Sequence, residues 1–365
     1  MIIKDNIRAM PAYSVPQVFN GIKLNQNESP SDLPPVIKQA IFERLSACEW
    51  NRYPLDDAGQ LIAEIAAYTG FPSESIMVGN SSNELIQALI YSCCNTGDAI
   101  LTVSPTFSVY SRAAAVMNIE TVTVPLKEDF SFDVPALLEA VNNLAVPNRE
   151  GPVTEKKSPV KIIFLASPNN PTGTVLEMKD IETICANTSS LLVMDEAYYE
   201  FYGESALELV DKYPNLVIMR TFSKALQAAG VRLGYLSARP EVVEQLKKTK
   251  LPFSVGFFQQ EAGTVLLRNL QLLENNISSI ITERERVFDA LTKLSAVSPV
   301  PSKANFILFG CRKKPTFEVY ESLKEKGVLV RAYNCPELQN MLRAAIGTVE
   351  ENDTFLEKLE EVAGK

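Results

Sequence analysis

Between residues 75 and 240 the chain repeats one pattern: a short apolar run rich in β-branched residues, then a segment with helical spacing. The runs are "SIMVGN", "DAILTVS", "ETVTVP", "VKIIFLAS", "LLVMDE", "NLVIMR" and "RLGYLS". This alternation constrains the fold more than any other feature. Strands that alternate with helices build a mainly parallel sheet with helices on both faces. The expected fold class is therefore α/β: a large domain with a mainly parallel, seven-stranded-type sheet sandwiched by helices. Ligands of such sheets sit beyond the carboxyl ends of the strands, so the polar residues that follow each run are the candidates for chemistry.

Outside this region the pattern changes. "ANFILF" and "GVLVRA" flank a helical "FEVYESLKEKG", and a charged C-terminal helix follows, which reads as a separate α+β unit. A chain of 365 residues exceeds what one core usually fills. The N-terminal residues 1–45 hold one amphipathic helix around "PPVIKQAIFERL" and are expected to join residues 271–365 in a smaller discontinuous domain. Residues 46–270 then form the large one. The polar stretch 147–159, "PNREGPVTEKKSP", has no apolar period and is expected to be an exposed loop.

Composition removes several kinds of chemistry. The chain has no histidine, which excludes Ser-His and Cys-His nucleophile pairs and the commonest metal ligand. Proton transfer is left to lysine, tyrosine or carboxylates. The six cysteines show no C-x-x-C spacing, so neither a zinc site nor a disulfide framework is expected, and no metal is assigned. With 44 acidic against 35 basic residues the net charge of -9 opposes broad attraction to nucleic acid or an anionic membrane. No apolar run approaches a spanning helix and the start lacks a signal-peptide pattern, so a cytoplasmic protein is expected.

Four stretches after the strand-like runs can carry chemistry. In "VGNSSNELIQALI" a strand runs into a helix whose first amides, capped by Ser81 or Ser82, would attract a phosphate. A plain capped helix start accounts for the same residues. "LLVMDEAYYEF" brings an apolar strand to Asp195, where a carboxylate is costly to bury unless it meets a cation or a donor. Helix capping by Asp195 is the simpler alternative; Tyr198 could reach the same space. "SPNNPTG" is a turn whose own chemistry explains most of it, with Asn170 as its candidate donor. In "TFSKALQAAGVR" the hydroxyls of Thr221 and Ser223 and the guanidinium of Arg232 can converge on an anion with the Lys224 amine beside it. A lysine near a cation and away from water has a lowered pKa, which favours the neutral nucleophile a Schiff base needs. Lysines are otherwise rarely buried.

Taken in order, "LNQNESP", "RYPL", "VGNSSNELI", "SPTFSVY", "SPNNPTG", "DEAYYEF", "TFSKALQAAGVRLGY" and "MLRAAIGT" resemble the aspartate-aminotransferase superfamily, fold type I of the enzymes dependent on pyridoxal 5'-phosphate (PLP). Within it "IRAMPAYSVPQ", "LNQNESP", "VGNSSNELI" and "ANFILF" most resemble the histidinol-phosphate aminotransferases. The resemblance implies that Lys224 binds PLP covalently and shuttles the proton, that Asp195 pairs with the ring nitrogen, and that Tyr198 and Asn170 bond the ring 3'-oxygen. It implies that Ser82, Asn83, Thr221, Ser223 and Arg232 hold the cofactor phosphate, and that Phe107 stacks on the ring. Tyr53 matches a tyrosine that reaches the cofactor phosphate of the neighbouring subunit, which implies a homodimer. Arg343, Arg331 and Asn27 match substrate-binding positions, Arg343 for the acidic end and Arg331 for the phosphate. The implied reaction moves the amino group of histidinol phosphate to 2-oxoglutarate, in histidine biosynthesis. Aromatic amino acid aminotransferases and a threonine-phosphate decarboxylase share the scaffold and stay open as alternatives. Where the family often has Phe-Gly-Leu after the lysine, this chain has Ala225, Leu226 and Gln227, and the stacking position, often tyrosine, is Phe107; neither departure touches the implied chemistry, but both can reshape the pocket.

Overall fold

The computed structural model describes residues 2–12, 20–143 and 159–364. The loop expected at 147–159 lies outside them except for its last residue. Strand β1 (Ile22–Lys23) comes first. Then follow β2 (Ile76–Asn80), β3 (Ala99–Ser104), β4 (Glu120–Pro125), β5 (Val160–Ala166), β6 (Leu191–Asp195), β7 (Leu216–Thr221) and β8 (Leu233–Ser237). Each of these seven coincides with one of the apolar runs, and they form one sheet in the order β2-β8-β7-β6-β5-β3-β4. Only β8 runs against its neighbours, β2 and β7; the other pairings are parallel. The mainly parallel α/β sheet is thus present.

Successive side chains of a strand point to opposite faces, which explains why the inner runs are apolar throughout, while β4 at the sheet edge alternates Thr with Val and leaves Glu120 exposed. On β3, Leu101 and Val103 enter one core and Ile100 the other. On β6, Leu192 and Met194 pack on the first face and Val193 on the second. The helices Val134–Asn143 and Met178–Ala186 cover one face through Leu137, Ile181 and Ile184. The helices Ser81–Cys93 and Val109–Val116 cover the other through Leu85, Leu89 and Tyr110. Each such side chain contributes about 1.5–3 kcal/mol by leaving water, so the sheet is held from both sides while its strand ends stay free for polar residues.

The C-terminal part supplies β9 (Val297–Pro299), β10 (Phe306–Cys311), β11 (Val328–Leu329), β12 (Arg331–Ala332) and β13 (Met341–Ala345). An antiparallel sheet runs β12-β13-β10-β9, while β1 pairs in parallel with β11. Its core gathers Phe306, Phe309, Val287, Phe355 and Leu359. The last helix, Val349–Ala363, starts on a capping box: the Thr348 hydroxyl accepts the Glu351 N–H and the Glu351 carboxylate accepts the Thr348 N–H. Tyr198 and Phe201, just past β6, pack into this same core. The carboxyl end of the large sheet therefore lies against the small one, and Arg343 on β13 reaches the space between them.

Candidate active site

A cavity of about 910 Å³ opens at that junction. The segments that follow β2, β3, β5, β6 and β7 line it from the large sheet, and β12, β13 and residues 25–28 line it from the small one. Lys224 sits on a tight segment after β7. Phe222, Ala225 and Leu226 are buried around it, and the Phe222 N–H and C=O bond to Leu233 and Ala228. This packing holds the lysine toward the cavity, where Nζ donates to the Gln26 carbonyl at 3.0 Å. Burial, reinforced by the Arg343 and Arg232 charges, lowers its pKa to about 7. An amine held this way is neutral for much of the time near neutral pH and can act as a nucleophile or base.

Asp195 ends β6 and is 4% exposed. Its Oδ1 accepts the Ala197 N–H at 3.1 Å and its Oδ2 the Tyr110 hydroxyl at 2.6 Å. Burial raises its pKa to about 6, with the two hydrogen bonds opposing the rise. The carboxylate is thus stabilised from behind by two donors while the residue lines the cavity. Tyr110 is fully buried on the helix Val109–Val116, its ring stacked on Phe164, and its own ionisation is pushed far up by burial and by the Asp195 charge. It can only donate. The charge therefore stays on Asp195.

Tyr198 is held by two amides: Asn27 Nδ2 donates to its hydroxyl at 3.0 Å and Asn170 Nδ2 at 3.4 Å. Burial raises the phenol to about 12, against the lowering effect of Arg343. Arg343 orients Asn170 in turn, since Nη1 donates to Asn170 Oδ1 at 2.6 Å while Nη2 donates to the Asn25 carbonyl at 2.8 Å. Arg331 is the direct cross-strand partner of Arg343. Like charges opposite each other on one face are destabilising unless something compensates. The pair makes this end of the cavity attractive to an anion.

A second anion-attracting corner forms where the helix Ser81–Cys93 begins. Ser81 turns the chain with φ of 63°, its Oγ accepts the Asn83 N–H at 3.4 Å, and the Glu84 carboxylate accepts the Asn80 N–H. The approach of this turn to β8 depends on Gly234, where a Cβ would meet Ser82 N at 2.6 Å. Thr221 and Ser223 face the same corner, their hydroxyls joined at 3.0 Å. Arg232 completes it from a left-handed backbone position with φ of 60°, a conformation bulky residues rarely adopt without a functional constraint.

Of the residues singled out in the sequence, Lys224, Asp195, Tyr198, Asn170, Asn27, Ser82, Asn83, Phe107, Thr221, Ser223, Arg232, Arg331 and Arg343 all line this cavity. Tyr53 does not: it is 82% exposed and stacks on Phe253. The departures after the lysine do not line it either. Ala225 and Leu226 are buried in the cores, and Gln227 takes a left-handed turn position. Tyr110 was not singled out in the sequence; it lies in the first turn of the helix Val109–Val116, three residues past Phe107, and lines the same cavity. The sequence reading also missed the buried ion pair of Glu196 and Arg220 at 2.9 Å, with Arg220 stacked on the Tyr199 ring. That pair ties the end of β6 to the end of β7, next to Asp195 and Thr221.

Comparison with known proteins agrees with this geometry. The family model described as "Aminotransferase class I and II" matches residues 20–359. The histidinol-phosphate aminotransferase of Prosthecochloris aestuarii is 36% identical over 366 residues, covering 100% of this chain and 98% of its own length. That of Thermococcus gammatolerans is 37% identical, with 100% and 98% covered. Among solved structures, the histidinol-phosphate aminotransferase of Sinorhizobium meliloti in complex with pyridoxal-5'-phosphate superimposes with a TM-score of 0.87 at 22% identity, covering 99% of this chain and 97% of that one.

Proposed function

Because this chain belongs to the class I and II aminotransferases, we propose that it transfers the amino group of histidinol phosphate to 2-oxoglutarate, a step of histidine biosynthesis, with pyridoxal 5'-phosphate as cofactor. The relatives that carry this name match the chain along its whole length. The observation that carries the reading is the convergence, in one cavity, of a lysine lowered to about 7, a buried carboxylate and an opposed arginine pair.

The residues present fit the cofactor. Asp195 would offer a negative charge to a ring nitrogen, the Tyr198 hydroxyl and Asn170 amide would hydrogen-bond a ring oxygen, and Phe107 would offer a ring to stack on. The corner of Ser82, Asn83, Thr221, Ser223 and Arg232 offers donors and one guanidinium to a phosphate, and Gly234 leaves the backbone room that corner needs. When bound, the cofactor supplies the aldehyde that carries the amino group and the electron sink that makes the substrate carbon acidic.

The chain's own residues do the rest. Lys224, whose neutral form is well populated near pH 7, accepts the proton from the substrate carbon and returns it on the other side of the exchange. Asp195 keeps its charge opposite the ring nitrogen because Tyr110 and Ala197 bond the ionised form. Arg343 and Arg331 anchor the acidic ends of the two substrates, and the β13 strand that carries Arg343 also fixes Asn170, so substrate binding is felt at the ring. We read β1 with residues 271–365 as the unit that closes over the large sheet when these arginines are occupied; the helix Pro35–Ser46, expected to belong to that unit, instead buries Ile37, Ile41 and Leu45 against Leu61 and Phe222 of the large domain.

We further propose a homodimer. Trp50, Tyr53, Leu55, Leu251 and Phe253 are exposed near one another in part, with Tyr53 and Phe253 stacked at 4.7 Å, and a second copy would cover them. No described helix is long and apolar enough to cross a membrane, and the six free cysteines suit a reducing, cytoplasmic setting. The test is an assay of glutamate formed from 2-oxoglutarate with histidinol phosphate, phenylalanine or O-phosphothreonine as donor. Fastest turnover of histidinol phosphate supports the reading. A preference for phenylalanine, or carbon dioxide release from phosphothreonine, overturns it.

A further inference from the structure

At the arginine end of the cavity stands one residue that the reaction so far leaves unused. Tyr333 follows β12 and lines the cavity close to both guanidinium groups. Arg331 Cζ lies 5.8 Å and Arg343 Cζ 6.0 Å from its ring centroid. Its hydroxyl is buried with no hydrogen-bond partner among the described residues. Arg343 Nε is in the same condition, because that guanidinium spends Nη1 on Asn170 and Nη2 on the Asn25 carbonyl.

Buried donors are nearly always satisfied, and those left open in a site point to a missing partner. Both open donors sit where two positive charges already face each other across β12 and β13, so the missing partner is an anion. Its shape follows from the donors. A carboxylate has two coplanar oxygens, which one guanidinium fork can match alone. A phosphate monoester has three terminal oxygens in a tetrahedral array, and a third donor outside the guanidinium plane serves it better. Burial pushes the Tyr333 phenol up while the two arginines oppose it, so the hydroxyl keeps its proton and can donate.

We propose that Tyr333 is a specificity-determining residue whose hydroxyl donates to the phosphate monoester of the amine substrate, beside Arg331 and Arg343, and has no corresponding role toward a carboxylate. This inference rests on the phosphorylated donor assigned above. It also explains how one cavity serves two acidic substrates: the arginines bind either, and the phenol distinguishes them.

The experiment is Tyr333→Phe in the cofactor-loaded enzyme. With histidinol phosphate as donor, kcat/KM falls by about 10–100-fold, the worth of one hydrogen bond to a charged group, mostly through KM. With glutamate or unphosphorylated histidinol as donor it changes by less than about threefold. Inorganic phosphate, tested as a competitive inhibitor against glutamate, loses affinity in the variant, whereas succinate does not. Equal losses for all donors, or no loss for histidinol phosphate together with unchanged phosphate inhibition, would overturn the assignment. If the unaltered enzyme ignores histidinol phosphate yet shows the selective phosphate effect, the donor assignment fails and Tyr333 stands as a phosphate-reading residue.

Discussion

Replacing Tyr110 by phenylalanine removes one oxygen and leaves its ring stacked on Phe164, with centroids 5.1 Å apart. What is lost is the 2.6 Å bond to Asp195 Oδ2; the Ala197 N–H at 3.1 Å remains. A hydrogen bond to an ionised group is worth about 1.5–3 kcal/mol. At about 1.4 kcal/mol per pH unit, its loss raises the pKa of Asp195 from about 6 by a further one to two units. The cofactor ring nitrogen needs the ionised carboxylate, so binding must deprotonate Asp195 wherever it is protonated in the cofactor-free protein. Above about pH 9 both proteins hold the ionised form and the hydrogen bond is missing before and after binding alike, so affinities agree. Below about pH 6 the parent gains the charge-assisted bond as Asp195 ionises on binding and the variant does not, so the variant's Kd for pyridoxal phosphate rises by about 10–100-fold relative to the parent. The titration of Lys224 near pH 7 is common to both proteins and cancels in the ratio. Absorbance titrations of the cofactor-free proteins at several pH values give that ratio. A ratio that is independent of pH, or a variant that binds as tightly as the parent at low pH, would refute the reasoning.

Two further perturbations address the scaffold and the lysine. Gly234→Ala places a Cβ 2.6 Å from Ser82 N and 2.9 Å from Ser81 C, both backbone atoms that cannot step aside. The expected cost is about 1–3 kcal/mol, read as a lowered Tm, together with weakened binding of inorganic phosphate and of the cofactor; an unchanged Tm would contradict the close approach. Lys224 has a folded-state pKa depressed to about 7 against an ordinary value of 10.5. Such a group contributes stability that is present above the unfolded value and lost as pH falls through about 7. The cofactor-free protein should therefore gain stability over Lys224→Met as pH rises from 7 toward 10, as urea midpoints will show; parallel midpoints at all pH values would mean that the amine is not desolvated.

Six of the seven strands of the large sheet were legible because each is a short apolar run buried on both faces, and the edge strand β4 because its Thr and Val alternate, each with its turn residues next to it in the chain. The cavity residues were legible for a related reason. Asp195, Asn170, Lys224 and Phe107 stand at strand ends, where a parallel sheet exposes its ligand-binding edge, and a resemblance over eight stretches gave them roles. Tyr110 was not, because its partner lies 85 residues away and a tyrosine on an amphipathic helix reads as core. The Gln26 and Asn25 carbonyls that receive Lys224 and Arg343 were hidden for another reason: a main-chain oxygen leaves no mark on residue identity. Glu196 looked like one more acid beside Asp195; its buried pairing with Arg220 depends on β6 and β7 lying side by side, with Asp195 opposite Met219. The residues after Lys224 were read as able to reshape the pocket; Ala225 and Leu226 turn into the cores, because the bond from Ala228 N–H to the Phe222 carbonyl folds that segment back.

The proposed chemistry requires the Lys224 amine as the point of attachment. Borohydride treatment of the purified protein with pyridoxal phosphate, followed by mass analysis of its peptides, reads this directly. The account predicts one pyridoxyl group per chain, on the peptide that holds Lys224, and an unlabelled, inactive Lys224→Ala protein. Label fixed to a different lysine, or turnover that survives the substitution, would contradict it.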